Sequence, residues 1–322
     1  MTRIVDWNSY AKTSELRGLQ AFPALRRTLP SRTGTCRNFV IVDAASGTGT
    51  FLANFLRPVM PEIRAKIDPG MQIQVHRFDI NRENLIEYDE FVPVWGNDPQ
   101  IKANREVCSI TDINLPSKSV DFMLFCNALE HLSANLRSEA LKEAHRLLSD
   151  DGVLCVLGPV SSPWERLRFG AMQIMGLPKG PVNIEHAQAL ASPYSTDSFI
   201  SRYHHDDGEY YFKPGAAGQI GKAVKDPFIA AQLLELLRNT PEVADPRKDP
   251  DHKVWFSPAS LLSELNCSGF RLCENGEDYF VYGSTHGQAR AIAGTSIQSL
   301  MPFGLRKFFA HGEIFVLNKV DN

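Results

Sequence analysis

The chain has 322 residues, 43% of them hydrophobic, and its 34 Lys and Arg against 37 Asp and Glu give a formal net charge of −3 at pH 7. That length and apolar content suffice for one large domain, or a domain with a substantial appendage, so disorder is not the default reading. The near-neutral balance lacks the cationic excess that binding a phosphate backbone needs, so nucleic acid is disfavoured as a partner, a local patch such as Arg26, Arg27, Arg32 and Arg37 apart.

The opening MTRIVDWNSYAKTSE has no uninterrupted apolar core, and no later stretch approaches bilayer-spanning length. A soluble, cytoplasmic protein with no membrane partner is expected. Six cysteines, at 36, 108, 126, 155, 267 and 273, form no C-x-x-C pair and read as reduced, mostly buried thiols.

Residues 1–37 mix polar and aromatic side chains, end in a basic loop (LPSRTGTCRN), and read as an N-terminal lid preceding the core. Four short apolar runs follow: NFVIVD (38–43), MQIQVHRFD (71–79), SVDFMLFC (119–126) and GVLCVLGP (152–159). Runs of this kind suit strands covered on both faces, as in a parallel α/β sheet. Between the last two, Leu129, Leu132, Leu136, Ala140, Ala144 and Leu147 recur at helical spacing before Gly152, which predicts an amphipathic crossover helix.

From about 160 to 252 the composition turns to aromatics, histidines and glycines over a length too great for an ordinary connection, and an inserted, mainly helical cap is predicted. Its best helix is DPFIAAQLLELLRN, with Asp226 as N-cap, Pro227 at the first helical position, and Ile229, Leu233, Leu236 and Leu237 on one face. Residues 253–322 resume the fold, with a helix opening at Ser257 and Pro258 and strands at 278–283 and 313–319.

The strongest chemical feature is NFVIVDAASGTGTFLANF: a strand ending in Asp43, a turn of small residues through Ala45, Ser46, Gly47 and Gly49, then the start of a helix. Small residues let backbone approach a ligand, and a helix start offers free amide donors, although a purely structural turn has the same composition. Asp79 closes the second strand, where a doubly wound sheet places an acid for ribose hydroxyls; the bland alternative is a cap for the next helix. Asp112 lies just past a short strand and is placed for an adenine amino group, with an ordinary loop aspartate as the alternative.

Together these elements resemble the class I S-adenosylmethionine-dependent methyltransferases of small-molecule type, over about residues 38–159. Asp43 to Gly49 (DAASGTG) is similar to the family's D-x-G-x-G-x-G loop, and Asp79 to its ribose acid, with Ile80 following. Thr111-Asp112-Ile113 with Leu115-Pro116 resembles the adenine segment, and DFMLFCNALEH (121–131) the fourth strand followed by L-E-H. The resemblance implies an α/β fold: a doubly wound, Rossmann-like, mostly parallel seven-stranded sheet with an antiparallel last strand. It also implies S-adenosyl-L-methionine as cofactor and Cys126 and Asn127 facing its methionine end, and it leaves room for a homodimer. In two places the chain departs from the pattern. Ala45 stands where the family has its first glycine, which fits if its φ stays negative, and Pro58 with Pro61 is expected to interrupt the helix after the loop. No G-x-G-x-x-G fingerprint of nicotinamide enzymes is present.

Methyl transfer from a sulfonium needs alignment and dryness more than acid–base help, and a base matters only for an acceptor protonated at working pH. His131 is the catalytic candidate by resemblance, against a packing role. Within the cap Trp164, His186, Tyr203, His204 and Tyr211 are candidates for contacting the acceptor, joined by Tyr10 of the N-terminal segment; plain packing is the alternative for each aromatic. The string HHDD (204–207) reads as a solvated turn, and no metal is expected, because adjacent side chains do not converge on one ion. The expected reaction is methyl transfer to an oxygen or nitrogen of a small molecule, a secondary metabolite or a sugar. An RNA or protein methyltransferase, and a non-catalytic cofactor-binding scaffold subunit, stay open as alternatives.

Overall fold

The computed structural model describes residues 28, 30, 38–85, 98–160, 162–164, 167, 181–202, 210–213, 215–240, 254, 256–280, 300–310 and 312–320. Packing divides the chain into two compact units, one of Met1–Asp6 with Pro163–Asp251, the other of Trp7–Ser162 with His252–Asn322.

The larger unit is built on a seven-stranded sheet. Its strands are β1 (Asn38–Ala44), β2 (Gln72–Asp79), β3 (Ile101–Val107), β4 (Val120–Cys126), β5 (Leu148–Pro159), β9 (Phe270–Phe280) and β10 (Gly312–Lys319), in spatial order β3-β2-β1-β4-β5-β10-β9. The β3, β2, β1, β4 and β5 neighbours pair in parallel, whereas β10 runs antiparallel to both β5 and β9. This is the doubly wound sheet with an antiparallel last strand that the sequence implied. The order reverses between β1 and β4, so the carboxyl ends of β1, β2 and β4 diverge around a crevice suited to a ligand.

Alternation along each strand sends side chains to two faces. Phe39, Ile41, Ile73 and Val75 pack with helix α1 (Thr50–Ala65) on one face. Val42, Phe78, Met123 and Phe125 pack with α2 (Ala134–Leu147) and α6 (Pro258–Cys267) on the other.

Three expectations are corrected here. Helix α1 runs without a break through the positions of Pro58 and Pro61. Each proline removes an amide hydrogen bond, at roughly 3 kcal/mol, but Phe51, Leu52, Leu56, Val59, Met60 and Ile63 are all buried on the sheet. At roughly 1.5–3 kcal/mol per buried large apolar side chain, packing wins. The crossover predicted as one helix is split: Leu129–His131 forms a 3-10 turn, and α2 starts only after Ser133, whose side chain caps Leu136 N. The buried stripe is then Ala140, Leu141, Ala144 and Leu147, while Leu136 is 44% exposed and Arg137 is buried in its place. The strand predicted at 278–283 is a longer β9 that begins at Phe270; residues 281–283 lie outside the described residues.

In the smaller unit, β6 (Pro181–Val182), β7 (Ile200–Arg202) and β8 (Tyr210–Phe212) form an antiparallel sheet in the order β6-β8-β7. With it come α3 (Ile184–Ala191), α4 (Ala216–Ala223) and α5 (Pro227–Asn239), so the insertion is mainly helical but carries a small sheet absent from the sequence expectation. The cap of α5 is as predicted, with Asp226 Oδ1 accepting from Phe228 N at 2.8 Å and Ile229 N at 3.2 Å, and Leu233 is buried at the centre of its apolar face. Among the described residues, no helix is long and apolar enough to cross a membrane.

Candidate cofactor site

At the end of β1 the chain must reverse from strand to helix within five residues. It does so through three left-handed residues, Ala45 (φ 61°), Gly47 (φ 55°) and Gly49 (φ 74°). The negative φ under which an alanine would fit without strain is not met at Ala45, and that residue carries a strain of about 1–2 kcal/mol that a glycine would avoid. Neighbouring backbone holds it in this shape: Ser46 N donates to Phe78 O at 2.9 Å and Gly49 N to Ser46 O at 2.8 Å. Gly47 N donates to Asp79 Oδ2 at 2.7 Å. A side chain added at Gly47 would meet no protein atom within 4 Å, so the outer surface of the loop is an open cradle.

Asp79 ends β2 and is itself buried. Its second oxygen, Oδ1, accepts from Asn81 N at 2.8 Å, so the capping role and a place at the loop are combined in one side chain. Each carboxylate oxygen offers two acceptor positions, and Asp79 can therefore still receive two hydroxyl donors. Beside it Ile80 is 81% exposed, an isolated apolar surface at the rim.

The third wall is the segment after β3. Cys108 N donates to Asp79 O at 3.1 Å, which sets this loop next to the acid. Ile110 and Ile113 are buried beneath it and Asp112 is exposed on top. Two residues of α2 hold the loop from behind. Glu143 Oε1 accepts from Ile113 N at 2.8 Å. Arg146 donates to Ile113 O at 3.0 Å, Leu115 O at 3.0 Å and Ser117 Oγ at 3.1 Å, and pairs with Glu143 at 2.7 Å. The Arg146 hydrogen bond, reinforced by that from Ile113, holds the Glu143 carboxyl below its usual range.

Strand β4 delivers Cys126, buried, and Asn127, whose φ of 48° turns the backbone out of the sheet while its N–H donates to Leu157 O at 2.9 Å. His131 is exposed at the end of the following 3-10 turn. The structure thus gathers Asp43, Ala45, Ser46, Gly47, Gly49, Asp79, Ile80, Thr111, Asp112, Ile113, Cys126 and Asn127 at the carboxyl edge of one sheet. Trp164 (37% exposed), His186 (exposed on α3) and Tyr211 (5% exposed within β8) belong to the other unit. Tyr10, Tyr203 and His204 lie outside the described residues.

Sequence reasoning missed the supports of this site: Glu143 and Arg146 as anchors, and above all Arg77. Arg77 stands opposite Asp43 in the β1–β2 register, is 2% exposed, and donates from Nη1 to Thr48 O at 3.1 Å. Asp43 is equally buried, and its Oδ1 has no hydrogen-bond partner. Burial pushes its carboxyl up to about 8; Arg77 opposes that rise and the Asp79 charge adds to it.

An open, doubly wound sheet with a left-handed small-residue turn after β1 and an acid at the end of β2 is the architecture in which ligands bind at the switch point, beyond the carboxyl ends of the strands. Residues 42–156 match a family model described as a methyltransferase domain. That match takes in the 43–49 loop, Asp79, the 108–113 segment and strand β4. No curated protein matches the chain. Among solved structures it is similar to an S-adenosylmethionine-dependent methyltransferase from Clostridium acetobutylicum, with 12% identity, TM-score 0.45, and 99% of this chain and 94% of that one covered. It is similar also to one from Archaeoglobus fulgidus, with 13% identity, TM-score 0.44, and 95% and 94% covered. A third is the 1,6-didemethyltoxoflavin-N1-methyltransferase of Burkholderia thailandensis, with 11% identity, TM-score 0.42, and 97% and 81% covered.

Proposed function

We propose that this protein transfers a methyl group to an oxygen or nitrogen of a small molecule, holding S-adenosylmethionine between the 45–49 loop, Asp79 and the 108–113 segment. The observation that carries the assignment of residues is that single gathering point: an open left-handed cradle, an acid with acceptor capacity to spare, and an uncovered apolar rim at Ile80. When bound, the cofactor supplies an already activated methyl group. The chain's own residues then bind and orient. Asp79 receives the ribose hydroxyls, Ile80 covers one face of the adenine, and Asp112 with the 111–113 backbone addresses the adenine amino group. Asn127 and Cys126 line the methionine end. His131 is the group available to take a proton where the acceptor is a hydroxyl or an ammonium.

A small acceptor is supported by the net charge of −3, which offers no general attraction for a polyanion. We assign its selection to the inserted unit, which leaves the chain just after the carboxyl end of β5. Titration calorimetry with S-adenosylmethionine, S-adenosylhomocysteine and NAD tests the site: the first two should bind and the third should not. Binding of NAD alone would overturn it. For the inserted unit, Trp164→Ala should impair acceptor turnover with cofactor affinity unchanged, and equal turnover by the variant would remove that assignment.

A further inference from the structure

Arg77 is a residue of a kind that a sheet interior rarely accepts. Its guanidinium is charged at every accessible pH, it is 2% exposed, and it shares the α1 face of the sheet with Phe39, Ile41, Ile73 and Val75. Among the described residues, two things around it answer that charge. The first is the carbonyl of Thr48, inside the cofactor loop, at 3.1 Å. The second is Asp43, its partner in the strand register, which is buried with Oδ1 lacking any hydrogen-bond donor. A buried carboxyl oxygen without a donor is costly, and its position at the mouth of the loop leaves that donor to be supplied by a ligand.

We propose that Arg77 is a positioning residue that couples the shape of the 45–49 loop to the charge of Asp43, so that cofactor binding to this protein releases a proton. The inference rests on the reading of this loop as the cofactor site. Among the described residues, the charged groups felt at Asp43 are Arg77 and Asp79, both from β2; from β4 its register partner is the neutral Leu124. In the free protein the carboxyl, titrating at about 8, is largely protonated at pH 7. A cationic ligand with N–H donors favours the carboxylate, and the proton leaves Asp43 for solvent as the ligand enters. Arg77 makes this exchange reachable, because without its charge the carboxyl would stay neutral throughout the working range.

The test is the pH profile of S-adenosylmethionine affinity, measured by calorimetry on the full chain. In the wild-type protein the affinity should rise about tenfold from pH 7 to pH 9, the slope expected for one proton lost from a group titrating near 8. Asp43→Asn should abolish that rise. Arg77→Met should bind more weakly at every pH and show the rise displaced to higher pH, whereas Arg77→Lys should restore the rise without the full affinity, since it keeps the charge but not the planar fork. The cofactor's own amino group titrates alike in all four proteins, so differences between them report the site. If Asp43→Asn keeps the wild-type slope, or a folded Arg77→Met behaves as wild type, the inference is overturned. Should Arg77→Met not fold, Arg77→Lys and Asp43→Asn still decide. Absence of binding at any pH would instead refute the cofactor-site reading, an outcome distinct from binding without a slope.

Discussion

At the two ends of the sheet's carboxyl edge, the carboxylates that latch loops and the carboxyl that lies buried at an edge strand are treated in opposite ways. At the β2–β1–β4 end Asp79 accepts from two backbone amides and Glu143 from another, so each latches a loop, while Asp43 beside them is buried with Oδ1 lacking a donor. At the β5–β10–β9 end Glu313 lies in register between Gly158 and Tyr279, completely buried, with neither oxygen hydrogen-bonded. Burial pushes its carboxyl well above the usual range, the Glu277 charge adds to this and Lys307 opposes it. Around it the charges are cancelled locally: Tyr279 and Lys307 both donate to Glu277, and Arg306 of α7 (Phe303–Phe309) pairs with Asp278 at 2.6 Å. Asp79 and Glu143 therefore hold shaped loops in place, whereas local pairing around Glu313 seats a helix on an edge strand. Possession of buried carboxyls does not mark the cofactor side; possession of amide donors aimed at them does.

That contrast can be broken at several points. The largest effect is expected for Asp79→Ala, which removes the proposed ribose acceptor and unlatches Gly47 together; affinity for S-adenosylhomocysteine should fall on the order of a hundredfold, about 3 kcal/mol for charge-assisted bonds. A folded variant with unchanged calorimetric affinity would show that the latch is dispensable. Arg146→Met should cost about 1–2 kcal/mol of stability, since the carbonyls of Ile113 and Leu115 lose their donor, though Arg146 is partly exposed. It should also flatten the acid limb of the stability profile. The Glu143 carboxyl is held below its ordinary 4.5, so its contribution is present above that pH and is lost as pH falls through the lowered value. Urea midpoints from pH 6 to pH 3 for both proteins would check this.

Glu313→Gln should act with the opposite sign. Because the folded carboxyl is raised, stability in the wild type declines as pH climbs past 4.5, where the unfolded chain ionises and the folded one does not. The amide escapes that decline, so the variant should be the more stable at pH 7 and its advantage should vanish near pH 4. An advantage independent of pH would mean that Glu313 is ionised in place. The smallest effect belongs to Ala45→Gly, where relief at φ 61° is partly offset by the freedom that glycine adds to the unfolded chain. A gain of under about 1 kcal/mol is expected, read from the thermal midpoint; a loss would show that the alanine methyl is packed and useful.

The same contrast explains what could be seen in the sequence. Strands β1, β4 and β5 are covered on both faces and announce themselves as apolar runs, and Asp43 and Asp79 are legible because an acid at the end of such a run has few other uses. Strand β3 reads IKANREV with residues 102–107 exposed, and no apolar pattern marks it beyond a short strand before Asp112. Arg77, Glu143 and Arg146 were not legible as supports because their meaning lies in partners 29, 30 and 33 residues away in the chain. For Arg77 one local signal existed: in QIQVHRFD it takes the same face as Ile73 and Val75, an inward position where a lone cation demands a counter-charge. The continuity of α1 and the exposure of Leu136 were hidden for a different reason. Both depend on which face the sheet covers, and helical spacing alone does not decide that between adjacent positions.

The place of β10 has a consequence for biosynthesis. Strand β5, with Val153 to Leu157 buried, gains its outer partner only from Gly312–Lys319, and the whole inserted unit, α6, β9 and α7 are synthesised in between. Throughout that interval a growing chain would carry β5 as a bare, apolar edge, the form of strand most prone to pair with a stranger. Emergence of β10 ends the exposure, and it is also the event that finally fixes β9 beside it. Shielding of the nascent chain, by a chaperone or by slow translation through the insertion, is therefore a requirement written into the strand order itself.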